Sequence, residues 1–266
     1  MFNRKVDKKI LILGLSMFIY ACKSTKSNEI TNNYPENRST SSQVPPGTIH
    51  LKDNLYIDKT PVTNQMFMEF LKSITNFWSM EKHDAIQKSS NYGFKGSEIE
   101  EKLLKDIPQL KLENTSNLKI GKNLVFDDYI NDHHYDYHPV VQISKAQAQF
   151  FCLWRTDMVM LNYSYKSETP AQRRKFPSRV NYRLPTVQEM KNAVAKFQPE
   201  KIEVMEPEMG TIQLREKLRE IDSMVLFNIS EHTLDKKAYG INWRNSNIQE
   251  SQNDYTGFRC ICEIKN

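Results

Sequence analysis

Asp132-His133-His134-Tyr135-Asp136-Tyr137-His138 is the densest run of imidazole and carboxylate in this 266-residue chain. Those side chains suit iron, zinc or copper. Neighbours along an extended segment point to opposite sides, so only alternate members, His134, Asp136 and His138, are placed to share one ion. The preferred reading of the run is structural or solvated, and a transition metal on those three residues is the alternative.

Sulfur is the second group with chemistry. The chain holds 4 cysteines, at positions 22, 152, 260 and 262. Cys22 belongs to a processing signal described below, and the odd number remaining leaves one thiol unpaired. Cys152 is the upstream thiol facing the final stretch Gly257-Phe258-Arg259-Cys260. A bridge between Cys152 and Cys260 would close a loop of over a hundred residues, worth about 4 to 5 kcal/mol by chain entropy. Such a bridge persists only outside the cytosol. Cys262 then reads as packed, or open to intermolecular pairing, rather than as a reactive nucleophile.

Other chemistries find no support. Gly-x-Ser-x-Gly, Walker and His-Glu-x-x-His patterns are all missing from the sequence. Arg173-Arg174-Lys175 and Arg179 form a basic cluster in a loop after Pro170, which reads as a solvated face.

The N-terminus states a compartment. Arg4, Lys5, Lys8 and Lys9 precede an apolar run of 12 residues, Ile10 to Ala21, the length of a signal core and too short to span a bilayer. The run ends in Ile19-Tyr20-Ala21-Cys22, which resembles a bacterial lipobox. The expectation is a lipoprotein signal over 1–21, lipidation at Cys22 and a flexible polar tether over 22–43. Residues 1–21 hold four Lys/Arg and one Asp, so the mature chain carries 33 basic against 31 acidic groups, net +2. That balance gives no nucleic-acid footprint.

The rest, 44–266, is long enough for one domain with a real core. Val44-Pro45-Pro46-Gly47-Thr48-Ile49-His50-Leu51 reads as turn residues followed by a short alternating strand, and Asn54-Leu55-Tyr56-Ile57-Asp58 as a second strand. Thr63 caps a helix with Met66, Phe67, Phe70, Leu71 and Ile74 inward and Val62 stapled to Phe67. Ser144 and Gln147 form a capping box before Ala148, Phe151, Cys152 and Arg155, so Cys152 shares a stripe with core residues. Thr186 and Glu189 form another, ahead of Met190, Ala193, Val194 and Phe197. Thr211 to Met224 reads as a further helix, with Leu214, Leu218 and Ile221 inward. A long polar segment over about 79–133, with its own Ser97/Glu100 box, reads as an insertion and as the place for partner specificity.

Taken in order, these segments resemble the formylglycine-generating enzyme family, also called the sulfatase-modifying-factor domain. The matching residues are Pro46-Gly47-Thr48, Tyr56 to Asn64, His138 to Ser144 with Ala148, Cys152 and Trp154, Tyr182 to Thr186 with Glu189, Asn228-Ile229-Ser230-Glu231, and Gly257 to Cys260. The resemblance implies an α+β, C-type-lectin-like fold with much irregular structure. It also implies a disulfide between Cys152 and Cys260, and a structural role for His138. Asn228 and Glu231 match the family's Asn-x-x-Glu, which makes them the calcium candidates, although His232 stands where a tryptophan is usual. Lipid-anchored members serve gliding and secretion machinery of Gram-negative bacteria, which implies an outer-membrane anchor and envelope proteins or glycan as partners.

One departure bears on activity. Catalytic members of the family hold copper through two cysteine thiolates shortly before the terminal Gly-Phe-Arg-Cys, because Cu(I) needs soft ligands. In this chain Asn228 to Tyr255 contains no cysteine. The expectation is therefore a non-catalytic, lipid-anchored interaction or scaffold module with no cofactor beyond calcium. The alternative is a family enzyme with altered, metal-dependent oxidoreductase chemistry.

Overall fold

The computed structural model describes residues 44–77, 118–120, 124–126, 129–130, 132–167, 169–202, 211–240 and 256–265. The signal, Cys22, the tether and nearly all of the expected insertion, including Ser97 and Glu100, lie outside the described residues. Among the described residues no helix is long and apolar enough to cross a membrane.

The described chain mixes helix and sheet. Its first strands, β1 (Thr48–Lys52) and β2 (Leu55–Asp58), form an antiparallel pair, followed by helix α1 (Asn64–Phe77). The hairpin β3 (Leu118–Ile120) and β4 (Leu124–Phe126) precedes a 3-10 turn at His133–Tyr135. Helix α2 (Lys145–Tyr165) is the longest among the described residues, followed by the short α3 (Pro170–Arg173) and strand β5 (Arg179–Arg183). Helix α4 (Val187–Phe197), β6 (Glu200–Ile202), α5 (Thr211–Glu220) and β7 (Val225–Phe227) come next. Three short strands close the chain: β8 (Ser230–Glu231), β9 (Thr256–Gly257) and β10 (Ile261–Lys265).

The central sheet runs β1-β2-β10-β5, antiparallel throughout. The last strand therefore lies between the earliest strand pair and β5, which places the terminal motif at the middle of the molecule. Tyr182 and Cys262 are register partners across β5 and β10, while Cys262 faces Tyr56 across β2.

Local sequence explains the helix starts. Met66 N–H donates to Thr63 Oγ1 at 3.3 Å. Ser144 and Gln147 exchange both bonds of a capping box, and Thr186 and Glu189 do the same. Val62 and Phe67 share the largest apolar cluster, as a staple requires. Three apolar clusters make the core, one around α1 and α2, one around α5, β7 and Tyr129, and one around Ile57, Met190 and Ile261.

Some boundaries differ from those read in the sequence. Helix α5 stops at Glu220 rather than Met224, because Met224 and Val225 turn inward to begin the parallel pairing of β7 with β6. The segment after Pro170 is not a loop. Thr169 caps α3 through a capping box with Gln172, and Arg179 opens strand β5. Arg173 is drawn out of the basic cluster, donating to the carbonyls of Phe176, Pro177 and Ser178.

Candidate functional site

Each residue of Gly257-Phe258-Arg259-Cys260 has a distinct structural reason. A Cβ on Gly257 would lie 2.4 Å from Val140 O and 2.8 Å from Ile229 Cδ1, so only glycine lets these backbones meet. Phe258 is fully buried and sits edge-on to Phe151 and Phe67. Arg259 has no exposed surface and grips Glu231 with two bonds, Nε to Oε2 at 2.6 Å and Nη2 to Oε1 at 2.7 Å. Its Nη1 and Nη2 also donate to the carbonyls of Asp58 and Val225. A buried charge survives only when so compensated.

A second buried pair lies beside the first. Arg155, on α2, donates to Asp58 Oδ2 at 2.7 Å and to Pro46 O at 2.8 Å, and its guanidinium lies 4.4 Å from the centre of the Tyr182 ring. Burial works against the Arg155 charge, and Asp58 leads the interactions that hold it ionised above its ordinary range. Asp58 Oδ2 also accepts from Cys260 N–H at 2.9 Å. Asp58 thus joins β2, α2 and the terminal motif through one carboxylate. Asp58 Oδ1 and Arg155 Nε are buried with no hydrogen-bond partner.

The thiols lie in the same region. Cys152 Sγ and Cys260 Sγ are 3.4 Å apart, both buried and both thiols in this structure. Burial, followed by the Cys152 contact, pushes the Cys260 thiol well above the ordinary range. Burial likewise raises Cys262 to about 12, with Arg155 the leading opposing influence. The Cys152 and Cys260 sulfurs are neighbours, as the bridge implied by the resemblance requires, and Cys262 is a thiol held in its neutral form, a poor state for a nucleophile or a metal ligand. The packed reading of Cys262 agrees with its full burial.

The loop after Glu231 fastens two helix starts together. His232 N–H donates to Gly257 O, and His232 Nε2 lies 2.6 Å from Ile143 O, so that nitrogen carries the proton. Lys145 Nζ reaches the carbonyls of Leu234 and Asp235, while Asp235 Oδ2 accepts from Val187 N–H at the start of α4. Desolvation lowers the His232 pKa, with Ile143 pulling the other way. On α4, Glu189 completes its capping box and also takes both arms of Arg183 at 2.8 Å.

The run from Asp132 to His138 takes a different form from the extended one expected. It is a 3-10 turn with Asp132 as its cap, and it disperses the three metal candidates. His134 Nδ1 pairs with Asp132 at 2.8 Å, Asp136 pairs with His133 at 3.2 Å, and both imidazoles are exposed. His138 is buried and packs edge-on against Tyr129 and Tyr135. Among the described residues, no three His, Cys, Asp or Glu side chains are grouped to hold an ion. In this turn His134, Asp136 and His138 go to separate partners.

Comparison with known proteins then decides the family. The model of the sulfatase-modifying factor enzyme 1-like domain matches residues 22–201. The chain belongs to this family. No curated protein and no solved structure gives a significant match. Sulfatase-modifying factor domains have a C-type-lectin-like fold, with which the mixed helix and sheet seen here is consistent.

The family's metals can be tested against these residues. A Cu(I) site needs paired thiolates with room for substrate. The described thiols, at 152, 260 and 262, are buried, and the last two are held protonated. They do not fit. A calcium site needs several free oxygens. Both oxygens of Glu231 are taken by Arg259, and a divalent cation there would face a guanidinium. Asn228 Oδ1 is buried with no hydrogen-bond partner, but one amide oxygen is not a site. As described, Glu231 therefore offers no free carboxylate oxygen beside Asn228.

Sequence reading missed the partnership of Asp58, Arg155, Glu231 and Arg259. A signal was present, because Arg155 lies on the same helical stripe as Ala148, Phe151 and Cys152. An arginine on a core stripe requires a buried acid, but the stripe does not say which one.

Proposed function

We propose that this sulfatase-modifying-factor domain is a non-catalytic interaction or scaffold module, anchored in a Gram-negative envelope by lipid at Cys22. Its partners would be envelope proteins or glycan, in an assembly of the gliding or secretion type. One observation carries the reading. Asn228 to Tyr255 supplies no cysteine pair, and Glu231 within that stretch and Arg259 just after it are engaged with each other in a buried ion pair. What remains is a rigid scaffold with a polar insertion over about 79–133, the arrangement in which loops carry recognition.

The test is expression with the native signal in a Gram-negative envelope, followed by intact mass and metal analysis before and after reduction. The expected result is a lipidated Cys22, a mass gain of two hydrogens on reduction from one internal bridge, and no stoichiometric transition metal. Stoichiometric copper, iron or zinc would contradict the reading.

A further inference from the structure

We infer that the entry of the chain into the domain is a mechanical clamp, built to take tension from the N-terminal side without letting β1 peel away. The inference rests on the lipid-anchor reading only for the source of the load. Among the described residues strand β1 is an edge strand, and its pairing with β2 starts at Thr48 and Asp58, the end nearest the tether in sequence. Tension entering there would open ladder bonds one after another, the weakest way to load a sheet.

Three residues ahead of that ladder prevent this. Pro45 is buried, and its carbonyl accepts from both Thr48 N–H and Thr48 Oγ1. Pro46 O accepts from Arg155 Nη2 at 2.8 Å and from the Tyr182 hydroxyl at 3.5 Å. Gly47 O accepts from Lys59 N–H at 3.1 Å. Arg155 is only 3% exposed and its other arm holds Asp58, which holds Cys260 N–H. A pull on residue 44 is thus delivered to the middle of α2 and to the motif before β10, rather than to one ladder bond. A charge-assisted bond shielded from water resists rupture better than an exposed neutral one.

Gly47 makes the clamp testable. Its φ is +76°, and a Cβ there would lie 3.1 Å from Arg155 Nη2, so Gly47→Ala strains the turn and displaces the guanidinium arm that holds Pro46. The experiment pulls the full chain in optical tweezers, with handles at Cys22 and after Asn266. It compares the native sequence with Gly47→Ala, Arg155→Lys and Leu214→Ala. Leu214 is a buried residue of a separate apolar cluster, and its variant controls for general destabilisation.

The native chain and Leu214→Ala should unfold with no earlier extension. Gly47→Ala should first release about 3 nm, the extended length of residues 44–52. Arg155→Lys keeps a charge for Asp58 and loses the second arm, so it should show the same early release. If it does not fold, Gly47→Ala decides. An early release in the native chain, or none in Gly47→Ala, overturns the clamp. Lipid analysis at Cys22 tests the anchor separately, so an unlipidated chain with an intact clamp breaks only the functional reading.

Discussion

Two regions of this molecule use the same kinds of ionisable side chain to opposite ends. Around Arg259 and Arg155 the charges are buried and matched one for one, with Glu231 and Asp58 each opposite a guanidinium. In the turn from Asp132 to Asp136 the histidines and aspartates are paired as well, but in water. Density of titratable residues along the chain marks the second region, while the first is assembled from four distant segments. Depth decides which pairing matters, because an unpaired charge is costly only where water cannot reach it.

The largest effect should come from breaking the deeper pair. Arg259→Met leaves Glu231 buried without its partner and should cost about 3–5 kcal/mol, read from urea unfolding midpoints. Arg259→Met combined with Glu231→Leu should recover most of that loss. If the double variant were as unstable as the single one, the cost would belong to packing and not to the orphaned charge.

These contrasts also show what was legible in the sequence. Helix starts were readable because a cap is a local event, and Thr63, Ser144 and Thr186 each find their partner within three residues. Strands β1 and β2 were readable from alternation and turn residues. The buried ion pairs were not, since Arg155 and Asp58 are 97 positions apart and nothing local names the partner. The Asp132 to His138 run was over-read for the converse reason. Its composition suggests a metal, but Asp132 caps the segment into a turn that an extended reading cannot anticipate. Glu231 belongs to a local motif, and its partner Arg259 comes 28 residues later, so the ion pair was not legible from the motif.

A smaller effect should follow pH at the loop between the two helix starts. His232 is depressed in the folded protein by desolvation, so the unfolded chain takes up its proton first. That histidine therefore costs no stability above its ordinary value near 6.5, and costs increasingly as pH falls below it. Urea midpoints should decline between pH 7.5 and 5.5. His232→Gln, which keeps a donor for Ile143 O, should flatten the decline. An unchanged slope would show that another group carries it.

The smallest effect should come from the exposed turn. His134→Ala and Asp136→Ala should each change stability by no more than about 0.5 kcal/mol. They should also leave the envelope-purified protein's metal content unchanged. A metal lost with either substitution would revive the ligand set that the turn geometry disperses.

The central claim is that the domain lacks the thiolate pair that the family's copper chemistry needs. Its most direct test incubates the purified, copper-supplemented protein with a cysteine-containing sulfatase peptide and follows the peptide by mass spectrometry. The account predicts that the cysteine survives unconverted at every time point. Copper-dependent appearance of the aldehyde product, even at a single turnover, would contradict it.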